Sequence, residues 1–169
     1  MPLRRHSELR GRRLRIDEAL LERFAMSAAG TWFLLHVAPR LDKALIPRTK
    51  GRVSSVGVGT VGLVTTTGAK SGERRTQPLV CFDDGEGLLL VGSNYGRPAH
   101  PGWSHNLLAD PACVVEFRGP PAPYVARLLD GEERAEAWET AVDFYAGYER
   151  YRLRCAPREI RVFRLTPAP

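Results

Sequence analysis

Apolar and polar positions along this chain follow two different periods. Between Ile16 and Val37, the residues Leu20, Phe24, Phe33 and Val37 fall at spacings that share one stripe of a helix. Asp17 is placed to cap its start, and Pro39 is expected to stop it, with a short further turn of helix before Pro47. Beyond Val53 the pattern becomes that of strands. GLVTTT (62–67), RTQPLVCF (75–82), GLLLVGS (87–93), ACVVEFR (112–118), PYVARLLD (123–130) and EIRVFRL (159–165) are apolar or alternating runs bounded by turn residues. Asp84-Gly85 between two of them predicts a hairpin, and Pro78 predicts an edge position.

Two helices interrupt the strands. PGWSHNLLAD (101–110) has Pro101 in its first turn and Trp103 and Leu107 one turn apart. Asp130-Gly-Glu-Glu133 has the spacing of a capping box, and Trp138, Val142 and Tyr145 continue one helical face towards Gly147. Hairpins dominate and no βαβ repeat occurs. The expected fold is therefore α+β, an antiparallel barrel of about six strands with helices packed outside it.

The 169 residues fit a single domain, 16–169, preceded by a basic extension, 1–15. That extension holds six arginines against Glu8 alone, so it carries +5 of the formal +6 and leaves the body near neutral. A nucleic-acid-binding domain would spread its cations over a folded face, so no nucleic-acid partner is expected. The extension reads as a flexible, solvated arm, or in a sharper reading as a peripheral contact with an anionic membrane surface. Cys81, Cys113 and Cys155 are odd in number and far apart, so neither a disulfide framework nor a metal site is expected. A reducing, cytoplasmic setting follows, possible contact with the inner membrane face being the only qualification. No apolar run reaches a signal sequence or a span.

Two motifs are decoys. Gly57, Gly59 and Gly62 spell a dinucleotide fingerprint, but a strand rather than a helix follows. TTTGAKS fails the spacing of a phosphate loop. More informative is the block Thr65 to Leu79. Gly68 and Gly72 bracket Lys70 and Ser71 in a tight turn that could aim backbone N–H groups at an anion, with Lys70, Arg74 and Arg75 adding charge. Neighbouring strand residues point to opposite faces, so Arg74 and Arg75 cannot serve one site together. A second block runs from Ser93 to Pro111. Ser93-Asn94-Tyr95-Gly96 leaves a strand shortly before the Pro101 helix, whose Trp103 and Asn106 offer an aromatic plane beside an amide. Read alone, a core tryptophan and a capping asparagine fit equally well. Tyr145, Tyr148 and Tyr151 recur every third residue, which suits either packing or the wall of a pocket.

Together these blocks resemble the deazaflavin-dependent nitroreductases, split-barrel oxidoreductases that use coenzyme F-420 (8-hydroxy-5-deazaflavin). The resemblance rests on the stretch Thr66 to Leu79, on Ser93 to Gly96, on Pro101 to Leu107, and on the spaced tyrosines. It implies an antiparallel split β-barrel and hydride transfer to a quinone, nitroaromatic or activated enone. It further implies that Lys70, Ser71 and Arg75 hold the acidic part of the cofactor and that Thr76, Pro78, Ser93, Asn94, Tyr95 and Gly96 lie beside it. Pro101, Trp103 and Asn106 would shape the helix start around it. Tyr145, Tyr148 and Tyr151 would be the catalytic wall, with Tyr148 the first choice to bond the acceptor oxygen. Ala69 stands where an arginine is usual, and Asn94-Tyr95 where lysine-glycine is usual. Flavin mononucleotide as the cofactor, or a carrier without turnover, are the alternative expectations.

Overall fold

The computed structural model describes residues 27, 29–30, 36–49 and 61–169. The basic extension with its membrane expectation, Asp17, Gly57, Gly59 and nearly all of the expected first helix lie outside them. Helix α1 (Ala38–Thr49) differs from expectation. Pro39 sits in its first turn rather than ending a helix, because proline lacks only an N–H that the first turn leaves unpaired anyway. The backbone N–H groups of Arg40 and Leu41 both reach Val37 O, which joins α1 to the turn before it.

Seven strands form one antiparallel sheet: β1 (Val61–Thr67), β2 (Arg74–Val80), β3 (Phe82–Asp83), β4 (Leu88–Val91), β5 (Ala112–Glu116), β6 (Ala122–Leu128) and β7 (Val162–Pro167). Their spatial order is β2-β1-β5-β6-β7-β4-β3. The six expected runs become seven strands because RTQPLVCF is two, divided at Cys81. Its halves lie at opposite ends of the strand order, with one residue between them. Such a sheet must curl until its edges meet, giving the barrel. Pro78 lies on the edge strand β2, opposite Leu63, where a missing N–H costs no ladder bond on the open side. The Asp84-Gly85 hairpin forms as expected, with Asp84 Oδ1 accepting from the N–H groups of Glu86 and Gly87.

Alternation along the strands sorts the core into an inside and an outside. Inward, Val64, Leu88, Leu90, Val115, Phe163 and Leu165 close around Trp103 and Leu107 of helix α2 (Gly102–Ala109). Outward, Phe82, Leu89 and Val162 carry helices α3 (Gly131–Phe144) and α4 (Gly147–Cys155) through Ala137, Ala141, Tyr148 and Tyr151. A smaller outer cluster joins Ile46 of α1 to Val61 and Leu63.

Two expectations about the C-terminal helices are corrected. The helix from Asp130 does not carry the tyrosines on one face; it ends at Phe144, Tyr145 is extended (φ −149, ψ 103), and α4 starts afresh at Gly147. A Cβ on Gly147 would stand 2.3 Å from Tyr145 Cζ, so the bend exists only because that ring can lie over a bare backbone. Nor does the capping box form, since Asp130 makes no side-chain cap bond. Glu133 is engaged instead by two guanidinium groups, Arg127 and Arg164, which bind a carboxylate more strongly than an amide does.

Candidate active site

The β1–β2 turn spends most of its amides on its own frame. Gly68 N–H bonds Glu73 O at 2.8 Å, Gly72 N–H bonds Gly68 O at 2.8 Å, and Glu73 N–H reaches Ser71 Oγ at 3.3 Å. The expected backbone cradle is therefore reduced to the N–H groups of Lys70 and Ser71. The cations remain on display. Lys70 is exposed, and Arg75 makes only long, exposed contacts of 3.5 Å with Ser71 and Glu73.

Asn106 ties this turn to α2. Its Oδ1 accepts from Ala69 N–H at 3.0 Å and its Nδ2 donates to Thr66 Oγ1 at 2.9 Å, both in buried or half-buried surroundings. The two sequence blocks thus meet, with Asn106 as a brace whose polar atoms are consumed within the protein. Trp103 is likewise internal, 5% exposed, with its ring 5.7 Å from that of Phe163. Pro101 supplies the N-cap of α2 and accepts the Ser104 hydroxyl. These three residues stand behind the turn and support it from within the protein.

Strand register divides the remaining candidates. Thr66 pairs with Arg75, Thr65 with Thr76 and Leu63 with Pro78, so Arg75 faces the barrel interior while Thr76, Pro78 and Val80 share the outer face. Thr65 and Thr76 exchange a hydroxyl bond of 2.8 Å there. Val80 packs against both outer clusters and marks a half-buried strip between α1 and the tyrosines. The sequence pattern gave no direct pointer to Val80. Arg75 and the Thr76-Pro78 strip can serve one ligand only if it reaches around the edge of β2.

Across that strip stand four phenols. Tyr145 lies 5.4 Å from Tyr148 and 6.1 Å from Tyr151, and Tyr95 is 6.2 Å from Tyr151, ring centre to ring centre. Burial pushes the Tyr148 phenol well above its ordinary range, with the phenols of Tyr145 and Tyr95 adding to it. Tyr151 is raised by burial and then by Tyr145. Tyr95 is raised by burial and by the carboxylate of Asp42 on α1, which brings α1 within electrostatic reach of the cluster. The Tyr148 hydroxyl bonds no described residue, while every fully buried side-chain oxygen has a partner.

The Ser93–Gly96 loop holds Tyr95 in place by an unusual backbone. Asn94 (φ 48), Tyr95 (φ 55) and Gly96 (φ 71) are consecutive left-handed residues, a conformation that costs non-glycine residues about 1–3 kcal/mol each. A Cβ on Gly96 would come within 3.1 Å of Tyr151 Cα, so the loop packs directly on α4. Asn94 Nδ2 donates to Ala99 O at 2.8 Å, so its amide steadies the loop. Elsewhere, a surface cavity of about 340 Å³ between α3 and α4 is lined by Arg134, Trp138, Glu149 and Arg152, and includes none of the predicted site residues.

Comparisons with known proteins give the family and the fold. The family model of F420H(2)-dependent quinone reductases matches residues 39–167. The chain belongs to that family. An F420H(2)-dependent quinone reductase of Mycobacterium tuberculosis is 40% identical over 85 residues, 47% of this chain and 57% of that protein. The matched segment thus spans little more than half the length of that curated relative. A solved F420-H2 dependent reductase is 38% identical with a TM-score of 0.58, covering 63% of this chain and 94% of its own. A solved chain described as a domain-swapped dimer is 34% identical with a TM-score of 0.59, covering 73% of this chain and 96% of its own. The split-barrel fold expected from the sequence is the fold of these neighbours. Among the described residues no group of His, Cys, Asp or Glu is arranged to hold a metal, and no helix is long and apolar enough to cross a membrane.

Proposed function

We propose that this protein transfers a hydride from reduced coenzyme F-420 to a quinone, or to an acceptor of like electron demand such as a nitroaromatic or activated enone. Family membership supports the cofactor and the acceptor class. The observation that carries the reading in this chain is the Asn106 brace. It fixes a turn bearing an exposed lysine against the protein, next to the strand whose outer face meets the tyrosines.

The residues fit the group. Lys70, beside Ser71, offers an exposed cation to the acidic tail, and Arg75 adds a second whose ion pair with Glu73 is long, at 3.5 Å, and exposed. Thr76, Pro78 and Val80 give a half-buried strip of mixed polarity for a flat ring system, and Ser93 to Gly96 closes one side of it. The deazaflavin, when bound, supplies the hydride; the protein binds, orients and excludes water. Tyr148 donates a hydrogen bond to the acceptor oxygen, on which charge develops. Its raised pKa keeps the proton on the phenol across the neutral range, so it acts as a donor and not as a base.

Titrating the protein in parallel with coenzyme F-420 and flavin mononucleotide, followed by fluorescence, tests the cofactor. Tighter binding of flavin would instead identify a flavin oxidoreductase, and binding without reduction of any acceptor would identify a carrier. Replacing Tyr148 by Phe should lower kcat about a hundredfold or more while leaving the coenzyme Kd in place. Unchanged turnover with every acceptor would remove Tyr148 from this role.

A further inference from the structure

We propose that Arg158 is the positioning residue of the site, a latch that holds the Ser93–Gly96 loop in its left-handed conformation. The inference concerns the same site as the proposed activity and rests on it only for the ligand-binding part of its test. Arg158 lies beyond the end of α4, far in sequence from the loop it serves. Its Nη1 donates to Gly92 O at 3.1 Å and to His100 Nδ1 at 3.4 Å. Its Nη2 donates to Ser93 O at 2.8 Å and to Arg97 O at 2.9 Å, and its Nε donates to Arg97 O at 3.1 Å.

A guanidinium has five N–H donors in a fixed fork, and here each has an acceptor. The acceptors bracket the loop, with Gly92 and Ser93 entering it and Arg97 and His100 leaving it. Between them stand Asn94 and Tyr95, whose positive φ is unfavourable in isolation and persists only when the surroundings over-determine it. Within the loop, Gly96 N–H bonds Ser93 O at 3.0 Å, Arg97 N–H bonds Asn94 O at 3.0 Å, and the Asn94 side chain bonds Ala99 O. The guanidinium is half-buried and takes no carboxylate partner among the described residues, so its charge is met by these carbonyl dipoles and the His100 ring nitrogen. A lysine could not replace it, since an ammonium radiates three donors from one point and cannot span both ends of the loop.

The consequence for the site runs through Tyr95. With the latch in place its ring is held edge-on to Tyr151, beside the phenols that face the acceptor. Without it the loop relaxes, Tyr95 leaves that cluster, and the wall of the pocket loses its shape.

The test uses Arg158→Ala and Arg158→Lys in the full chain. Amide hydrogen exchange of the cofactor-free protein is measured on peptides covering residues 92–98, with a peptide covering 61–67 as the internal reference. Both variants should raise exchange in the loop about tenfold or more while the reference strand stays protected. Coenzyme Kd should rise about tenfold in both, and added guanidinium ion should restore protection and affinity to Arg158→Ala but not to Arg158→Lys. Equal loss of protection in loop and reference would make Arg158 a general stabilising residue and overturn the latch. So would loop exchange like that of the unmodified protein, or a loop that loosens with no change in Kd. Should the unmodified protein fail to bind the coenzyme, the proposed activity falls, while the exchange and rescue measurements still decide the latch.

Discussion

Two regions of the sheet treat positive charge in opposite ways. Beneath the start of α3, Arg164 is 8% exposed and is surrounded by carboxylates: Asp84 at 2.7 Å, Glu86 at 2.6 Å, and Glu133, which Arg127 also binds. Around the β1–β2 turn and the Ser93–Gly96 loop, the cations lack such company. Lys70 and Arg74 are exposed, Arg75 has one long contact to Glu73, Arg158 is held by carbonyls and the His100 ring, and Arg161 reaches Ser104 Oγ at 3.3 Å. A buried cation with matched anions is a structural knot, because its charge is already neutralised. Cations left without acids keep their field available for an anionic ligand. The sign of charge is the same in both regions; the placement of acid decides the role.

The sharpest break of that contrast is Arg164→Ala. Removing one member of a buried, hydrogen-bonded charge cluster leaves Asp84 without its main partner, and such losses cost about 3–5 kcal/mol. Denaturant melts should show a drop of that size with no specific change in coenzyme affinity per folded molecule. Lys70→Ala should do the reverse. Losing a charge-assisted contact of about 1.5–3 kcal/mol raises the coenzyme Kd roughly ten- to a hundredfold, while the unfolding midpoint stays put. If Lys70→Ala unfolded the protein or Arg164→Ala abolished binding by folded molecules, the division of labour would be wrong.

Much of this architecture is legible in the sequence, and the illegible parts share a cause. Strands, hairpin and edge proline are local signals, and local backbone chemistry made them readable: Asp84-Gly85 turns and Pro78 sits at an edge because of their own geometry. Trp103 and Leu107 point inward because they are one turn apart on α2. By contrast, the break at Cys81 depends on the sheet curling to bring its edges together, which no run of residues announces. The bend at Tyr145 depends on that ring finding bare backbone at Gly147. Glu133 has the spacing of a capping residue but is taken by Arg164, thirty-one positions away along the chain. Arg158 looks like any surface arginine until the loop it holds is folded against it. Among the candidate residues, Asn106 was named from the sequence but its bonds to Ala69 and Thr66 needed the fold, and register was needed to show that Arg75 and Thr76 look in opposite directions.

The mildest test of the contrast is its pH dependence. Glu133 is held below its ordinary value of 4.5, chiefly by the hydrogen bond from Arg127; burial opposes this, and the charges of Arg127 and Arg164 add to it. A carboxyl whose folded pKa lies below its unfolded one stabilises the fold fully above the unfolded value, and that contribution is lost as pH falls through the folded one. The Glu133 contribution to the urea midpoint should therefore hold from neutrality down to about pH 5 and then decline on further acidification. Glu133→Gln should lower the midpoint at pH 7 and flatten the decline below it, because the amide cannot lose a charge it never had. Glu133 is well exposed to solvent screening, so added salt should shrink the difference between the two proteins. Replacing Lys70 should leave the acid decline as steep as before, since no carboxylate depends on it. A decline that steepened in Glu133→Gln, or flattened in Lys70→Ala, would place the structural charge cluster in the wrong region of the sheet.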